Sequence, residues 1–165
     1  MSEHDVLDID GQVALVTGAG KGAGRGIALE LARHNAGGIA VNDFVADRAD
    51  EVVAEIREMG VPAIAVPFDV CDLDAVRAAF ARVASEIAPV TILVNNAGMA
   101  GPNAQLSPTK TFWEEDPGEW GKYMNTNLYG VFNCCHAAIP AMIAAQRGRI
   151  VNIVSDSGRV GEPRQ

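Results

Sequence analysis

Between the apolar run Val13-Ala14-Leu15-Val16 and a helical spacing that begins at Gly22 lies Thr17-Gly18-Ala19-Gly20-Lys21-Gly22-Ala23-Gly24. Alternating glycines at a strand-to-helix turn let backbone come close to a pyrophosphate, and the helix N-terminus adds N–H donors and the positive end of a dipole. A ligand-free tight turn uses the same residues, but the strand before and the helix after favour the phosphate cradle. Lys21 is followed by Gly22 rather than Ser or Thr, so the magnesium-binding hydroxyl of a Walker A loop is missing. Asp43 stands 25 residues after Gly18, close to the ~20-residue spacing of a carboxylate that accepts hydrogen bonds from an adenosine ribose. This favours NAD over NADP, whose 2′-phosphate would meet a like charge, although Lys21 and Arg48 are cations able to attract a phosphate. Capping of the next turn is the bland role for Asp43.

Other reactive side chains offer less. No GxSxG occurs and no histidine follows Ser155, which speaks against a hydrolase nucleophile. Cys134-Cys135-His136 is contiguous, so on a helix its side chains diverge in ~100° steps and cannot close around zinc; no metal is expected. His4, His34 and His136 read as surface or packing residues. Trp113 and Trp120 flank Glu114-Glu115-Asp116, where one lines a pocket or both bury against the following helix.

Positioning the glycine turn requires a strand and a helix, and the chain alternates the two throughout. Strands are expected at Val13–Val16, Ile39–Val41, Ala63–Val66, Thr91–Val94 and Arg149–Val154, as short apolar runs suited to burial on both faces. Ile27, Ala28, Leu31 and Ala32 mark the first helix. Val52, Val53, Ile56 and Met59 mark the second, which ends at Gly60. Leu73, Val76, Phe80, Val83 and Ile87 mark the third, behind an Asp72 N-cap. From Met99 to Pro117 periodicity gives way to Pro, Ser, Thr and Asn, predicting a loop over the carboxyl ends of the strands. A long helix from about Glu119 to Gln146 then presents Tyr123, Leu128, Phe132, Cys135, Ile139 and Met142, with Pro140 placed to kink it. Five βα alternations without hairpin signals predict an α/β fold: a doubly wound, mostly parallel sheet with helices on both faces. The outer edge of the fifth strand has only Ser155–Gln165 after it, so a fold truncated after that strand is expected.

At 165 residues one domain spanning 1–165 is expected. Thirteen Lys and Arg against 21 Asp and Glu give a net charge of −8, which argues against nucleic acid and anionic membranes as partners. The N-terminus lacks the basic and apolar stretches of a signal peptide, and no run reaches the ~18 apolar residues of a membrane span. Three cysteines, two of them adjacent, fit a reducing cytoplasm better than a disulfide framework.

Taken together, the motifs resemble those of the short-chain dehydrogenase/reductase superfamily. Thr17–Gly24 is similar to its TGxxxGxG turn, Asn95-Asn96-Ala97-Gly98 to its NNAG segment and Asp69-Val70 to its adenine-side pair. Asn127–Phe132 resembles NLxGxF, and Gly148–Ser155 resembles the GxIVNISS strand. The resemblance runs from about Gly11 to the last residue and implies a Rossmann-type fold. It implies that Gly18, Lys21, Gly22, Ala23 and Gly24 surround a pyrophosphate, that Asp43 holds the adenosine ribose, and that Asp69 and Val70 contact adenine. Asn96, Ala97 and Gly98 would contact the ribose on the nicotinamide side, while Asn95 is structural. Ser155 aligns with the serine that polarises a substrate carbonyl, and Asn127 with the asparagine that supports a proton-relay water. The expected reaction is NAD-dependent, with NADP second, and interconverts a small secondary alcohol and a ketone, in a homo-oligomer. Ser155–Gly161 resembles faintly the members acting on β-hydroxyacyl or alicyclic acyl thioesters. The family's general acid/base sits in YxxxK, which this chain lacks: four residues beyond Tyr123 is Asn127, and beyond Tyr129 is Asn133. The chain alone is therefore expected to be inactive, and a non-catalytic dinucleotide-binding module is the alternative.

Overall fold

The computed structural model describes residues 6–99, 111–155 and 159. Five strands form one parallel sheet: β1 (Val13–Val16), β2 (Gly38–Val41), β3 (Ala63–Ala65), β4 (Ile92–Asn95) and β5 (Arg149–Asn152), in the order β3-β2-β1-β4-β5. Three helices connect the first four strands: α1 (Gly22–Arg33), α2 (Ala46–Glu58) and α3 (Leu73–Glu86). Parallel neighbours cannot be joined by a tight turn, so each connection must cross a face of the sheet, and a helix does so while covering the apolar strand surface.

Every residue of β1 is buried, and alternation sends its side chains to two separate cores. Val13 and Leu15 join Leu93 and Ala40 beneath α3. Ala14 and Val16 join Ile39, Val41, Ile92 and Val94 beneath α1 and α2. Asp72 caps α3 as its sequence predicts, its carboxylate accepting from the N–H groups of Asp74 and Ala75 at 3.0 Å, worth about 1 kcal/mol.

Several expectations need correction. The helix expected over 119–146 is not uniform: a 3₁₀ turn at Pro117–Glu119 leads into α4 (Trp120–Met124), a π-helical turn at Asn125–Tyr129 and α5 (Gly130–Ala144). The wider turn rotates the helix beyond it, so α5 buries Gly130, Cys134, Ala138 and Met142, while Leu128, Phe132 and Ile139 are exposed. Pro140 sits inside α5 without ending it, and a separate irregularity falls at the π turn. Trp113 and Trp120 are both exposed, and neither lines the cleft described below. In the expected 99–117 loop, residues 100–110 lie outside the described ones, and Phe112–Glu114 forms a 3₁₀ turn. β5 ends at Asn152 rather than Val154, and all four of its residues are exposed. Among the described residues no helix is long and apolar enough to cross a membrane.

Cys134 is wholly buried in the core under α5, and this burial pushes its thiol up from 9.0 to about 12. An unfolded chain releases that proton near 9 while the folded one retains it. The contribution is therefore intact below pH ~9 and is lost as pH rises from there toward 12, at up to about 1.4 kcal/mol per pH unit. Urea midpoints between pH 8 and 10.5 should fall more steeply for the unaltered chain than for Cys134→Ala. Parallel curves would show that another group governs alkaline unfolding.

Candidate functional site

β1 lies at the centre of the sheet, with β2 on one side and β4 on the other. The chain thus leaves the carboxyl ends of β1 and β4 in opposite directions, and a crevice opens where it does so. A cleft of about 620 Å³ occupies this place. Gly18, Lys21, Gly22, Ala23, Gly24, Asp43, Asp69, Val70, Asn96, Ala97 and Gly98 all line it. The structure thus gathers in one crevice the residues that spacing and resemblance mark for a dinucleotide.

Buried amides and one hydroxyl join the strand ends that form the walls. Thr17, 1% exposed, accepts at Oγ1 from the N–H groups of Asn96 and Ala97, both at 3.0 Å. Asn96 returns the link by donating its side-chain amide to the carbonyls of Thr17 and Gly18 at 2.9 and 3.0 Å. The backbones after β1 and β4 are thereby held together. Gly18 has φ +61°, and a Cβ there would lie 2.9 Å from the Ala97 Cα, so both its conformation and its neighbour call for glycine. Gly24 packs against the Asn96 amide, and a Cβ on it would also lie 2.6 Å from the Gly18 carbonyl oxygen.

Asn42 belongs to none of the motifs, yet it is 2% exposed and central to the site. It accepts from the Gly18 N–H at 3.3 Å and donates to the carbonyls of Val66 and Phe68 at 3.1 and 3.0 Å. One side chain thus ties together the loops after β1, β2 and β3. A polar residue ending the apolar run Ile39-Ala40-Val41 is the available signal in the sequence.

Asp43 is nearly buried, and its carboxylate accepts from the Gly20 N–H at 3.0 Å and the Val45 N–H at 2.9 Å. The turn-capping role and the cleft-lining role are therefore both present. A carboxylate offers about four acceptor positions, so two backbone donors leave capacity for further hydroxyl donors. The Arg48 guanidinium stands 4.0 Å away, and Lys21 borders the same cleft. Lys21 is the N-cap of α1 but makes no side-chain capping bond, so the helix presents its N-terminal N–H groups and dipole toward the cleft uncapped by a side chain.

Asn127 and Ser155 do not line this cleft. Asn127, in the π turn, accepts from the Met99 N–H at 2.8 Å and donates to the Met99 carbonyl at 3.0 Å, beside Gly98. Ser155 follows β5 and is exposed; most of the segment 155–161 falls outside the described residues. Asn95 donates to Asn152 Oδ1 at 2.8 Å, a β4-to-β5 tie that fits a structural role. Among the described residues no three His, Cys, Asp or Glu side chains gather as a metal site.

A model of the short chain dehydrogenase family matches residues 12–165. The 3-oxoacyl-(acyl-carrier-protein) reductase FabG of Staphylococcus aureus is 40% identical over 153 residues, covering 92% of this chain and 59% of the relative. A gluconate 5-dehydrogenase from Burkholderia cenocepacia, solved in complex with NADP and tartrate, superposes with a TM-score of 0.83 at 34% identity, over 96% of this chain and 59% of that one. A 3-oxoacyl-(acyl-carrier protein) reductase with bound NAD from Brucella melitensis gives 0.85 at 30% identity, over 96% and 58%. The chain thus spans about three-fifths of the length of these relatives.

Proposed function

Because the chain belongs to the short-chain dehydrogenase family, we propose that residues 1–165 form one nicotinamide-dinucleotide-binding domain serving interconversion of a secondary alcohol and a ketone. The observation that carries this reading is the uncapped N-terminus of α1 facing the cleft, with Gly18 and Gly24 in its lining packed so closely on Ala97, Asn96 and the turn's own backbone that neither place admits a side chain. Gly18, Lys21, Gly22, Ala23 and Gly24 would take the pyrophosphate, Asp43 the adenosine ribose, and Asp69 with Val70 the adenine. Asn96, Ala97 and Gly98 would take the other ribose. When bound, the nicotinamide supplies or accepts hydride.

The protein's share of the chemistry is orientation and proton handling. The Ser155 hydroxyl would donate a hydrogen bond to the substrate oxygen and stabilise its developing charge. A serine hydroxyl remains protonated at neutral pH, so Ser155 does not itself complete proton transfer, and no YxxxK pair is present in this sequence. Asn127 would hold the water of a proton relay, although its side-chain amide already engages the Met99 backbone. A binding module without turnover is the second reading. Exposed Phe132, Ile139 and Ile143 on α5 support a homo-oligomer, and three free thiols support a cytoplasmic location. The substrate class extends to 3-oxoacyl thioesters by likeness to the two reductases, and to alicyclic substrates by the resemblance of Ser155–Gly161.

Fluorescence titration with NADH and NADPH tests the proposal. Saturable binding of either is expected, with NADH tighter because the Asp43 carboxylate would face a 2′-phosphate. Asp43→Ala should reverse the preference, raising the NADPH affinity roughly tenfold relative to NADH by leaving Lys21 and Arg48 as the nearby charges. Tighter binding of NADPH by the unaltered chain would favour NADP, and no binding of either would overturn the proposal. Ketone-dependent NADH oxidation by the chain would rule out the module without turnover.

A further inference from the structure

The loop after β3 forms one wall of the cleft through Asp69 and Val70. Its two ends are anchored by the Asn42 amide on Val66 and Phe68 and by the Asp72 cap on α3. Between them the loop's hydrogen bonds are internal: Asp69 Oδ1 accepts from the Cys71 N–H at 2.9 Å, and the Asp69 carbonyl accepts from the Asp72 N–H at 3.0 Å. Neither bond sets where Val70 lies relative to the rest of the cleft.

That placement comes from the opposite side. Asn133 Nδ2 on α5 donates to the Val70 carbonyl at 2.9 Å. Three residues earlier on the same helix face, Gly130 lets the Val70 side chain rest on helix backbone, since a Cβ at Gly130 would lie 2.6 Å from Val70 Cγ2. Thr126 Oγ1, in the π turn, adds a contact at 3.6 Å to Cys71 Sγ. Val70 is 6% exposed, held between α5 and the cleft. Asn133 does not line the cleft, so any influence on a ligand passes through Val70.

We infer that Asn133, with Gly130, is a positioning residue that holds the Asp69–Val70 wall in place and thereby sets affinity for the adenine half of the dinucleotide. The inference rests on the proposed dinucleotide reading of this cleft. Removing the donor leaves the Val70 carbonyl without its side-chain partner and frees the loop between its two anchors. The half of the cleft built by Asn96, Ala97 and Gly98 keeps the bonds of Asn96 and Ala97 to Thr17 and is untouched.

Half-molecules separate the two sides. With bound NADH as the fluorescent reporter, 5′-AMP and reduced nicotinamide mononucleotide are titrated as competitors against the unaltered chain, Asn133→Ala and the nearly isosteric Asn133→Asp. Both variants should weaken 5′-AMP and NADH by roughly fivefold, the loss of one hydrogen bond, and leave the mononucleotide within twofold. Equal weakening of both competitors together with a lowered Tm would mark a merely structural role and overturn the inference. Unchanged 5′-AMP competition in variants that bind NADH normally would overturn it too. Failure of the unaltered chain to bind NADH or NADPH would instead remove the cleft reading, and this inference with it.

Discussion

Asn42→Leu is expected to lower the unfolding free energy by about 3 kcal/mol and to abolish NADH binding in the same variant. Leucine is close in volume, so the site need not collapse, but it provides no polar atom. The Val66 and Phe68 carbonyls and the Gly18 N–H would each lose a partner at a position that is 2% exposed. Leaving a buried polar group unpaired costs about 1–3 kcal/mol. The 3.3 Å bond from Gly18 contributes least, which keeps the total near the lower end of the sum. Ligand affinity fails with stability because the same three bonds hold the glycine turn, the Asp43 strand end and the Asp69 loop together. Urea denaturation and NADH titration of one sample check both parts, and a loss under about 1 kcal/mol would show that the strand ends are fixed by other contacts.

Gly24→Ala should weaken NADH at least tenfold, about 1.4 kcal/mol, against the direction of helix propensity. Gly24 lies in the first turn of α1, where alanine is worth up to ~1 kcal/mol more than glycine. The added methyl, however, would press on the Gly18 carbonyl oxygen and the Asn96 amide, and it would stand 3.0 Å from the Ala19 Cα. Backbone cannot rotate away as a side-chain end can, so the turn must open, and overpacking of this kind costs about 1–3 kcal/mol. Gly26→Ala is the matched control. It lies two residues on in the same helix with nothing within 4 Å of its added Cβ, and it should leave binding unchanged while stabilising the chain slightly. Equal effects from the two substitutions would refute the steric account.

Strands β1 to β4 and three of the helices are readable in the sequence because a strand buried on both faces needs a short unbroken apolar run. Val13–Val16, Ile39–Val41 and Ala63–Val66 are such runs, each with a glycine or proline within two residues. The glycine turn is readable because its backbone adopts conformations and approaches that few other residues permit. Asn42 is not, because its role depends on three loops that meet only after the sheet has formed, and a polar residue beside Asp43 has no periodic signature. The stripe on the last helix misleads for a related reason. Tyr123, Leu128, Phe132 and Ile139 are the large apolar residues and attract a core assignment, yet the sheet side of α5 is taken by Gly130, Cys134 and Ala138. Small residues allow the helix to approach β4 and the Val70 loop, and hydrophobicity alone does not reveal which face must be narrow. A five-residue π turn leaves no mark in composition either.

The π turn gives the last helix something like a mechanical reading frame. Each α-helical residue advances about 100° and 1.5 Å, and a π turn takes up one extra residue, so forcing Asn125–Tyr129 into α geometry at unchanged length would screw everything beyond it by about that amount. Asn127 could then face Met99, or Gly130 and Asn133 could face Val70, but both sets of contacts would not be met together. Cys134, Ala138 and Met142 would swing from the core toward its flank in the same motion. The winding of this stretch is thus constrained more tightly than its lettering: Tyr129, half exposed, tolerates exchange, whereas restoring α geometry without removing a residue would force two distant parts of the molecule to compete for one rotational setting.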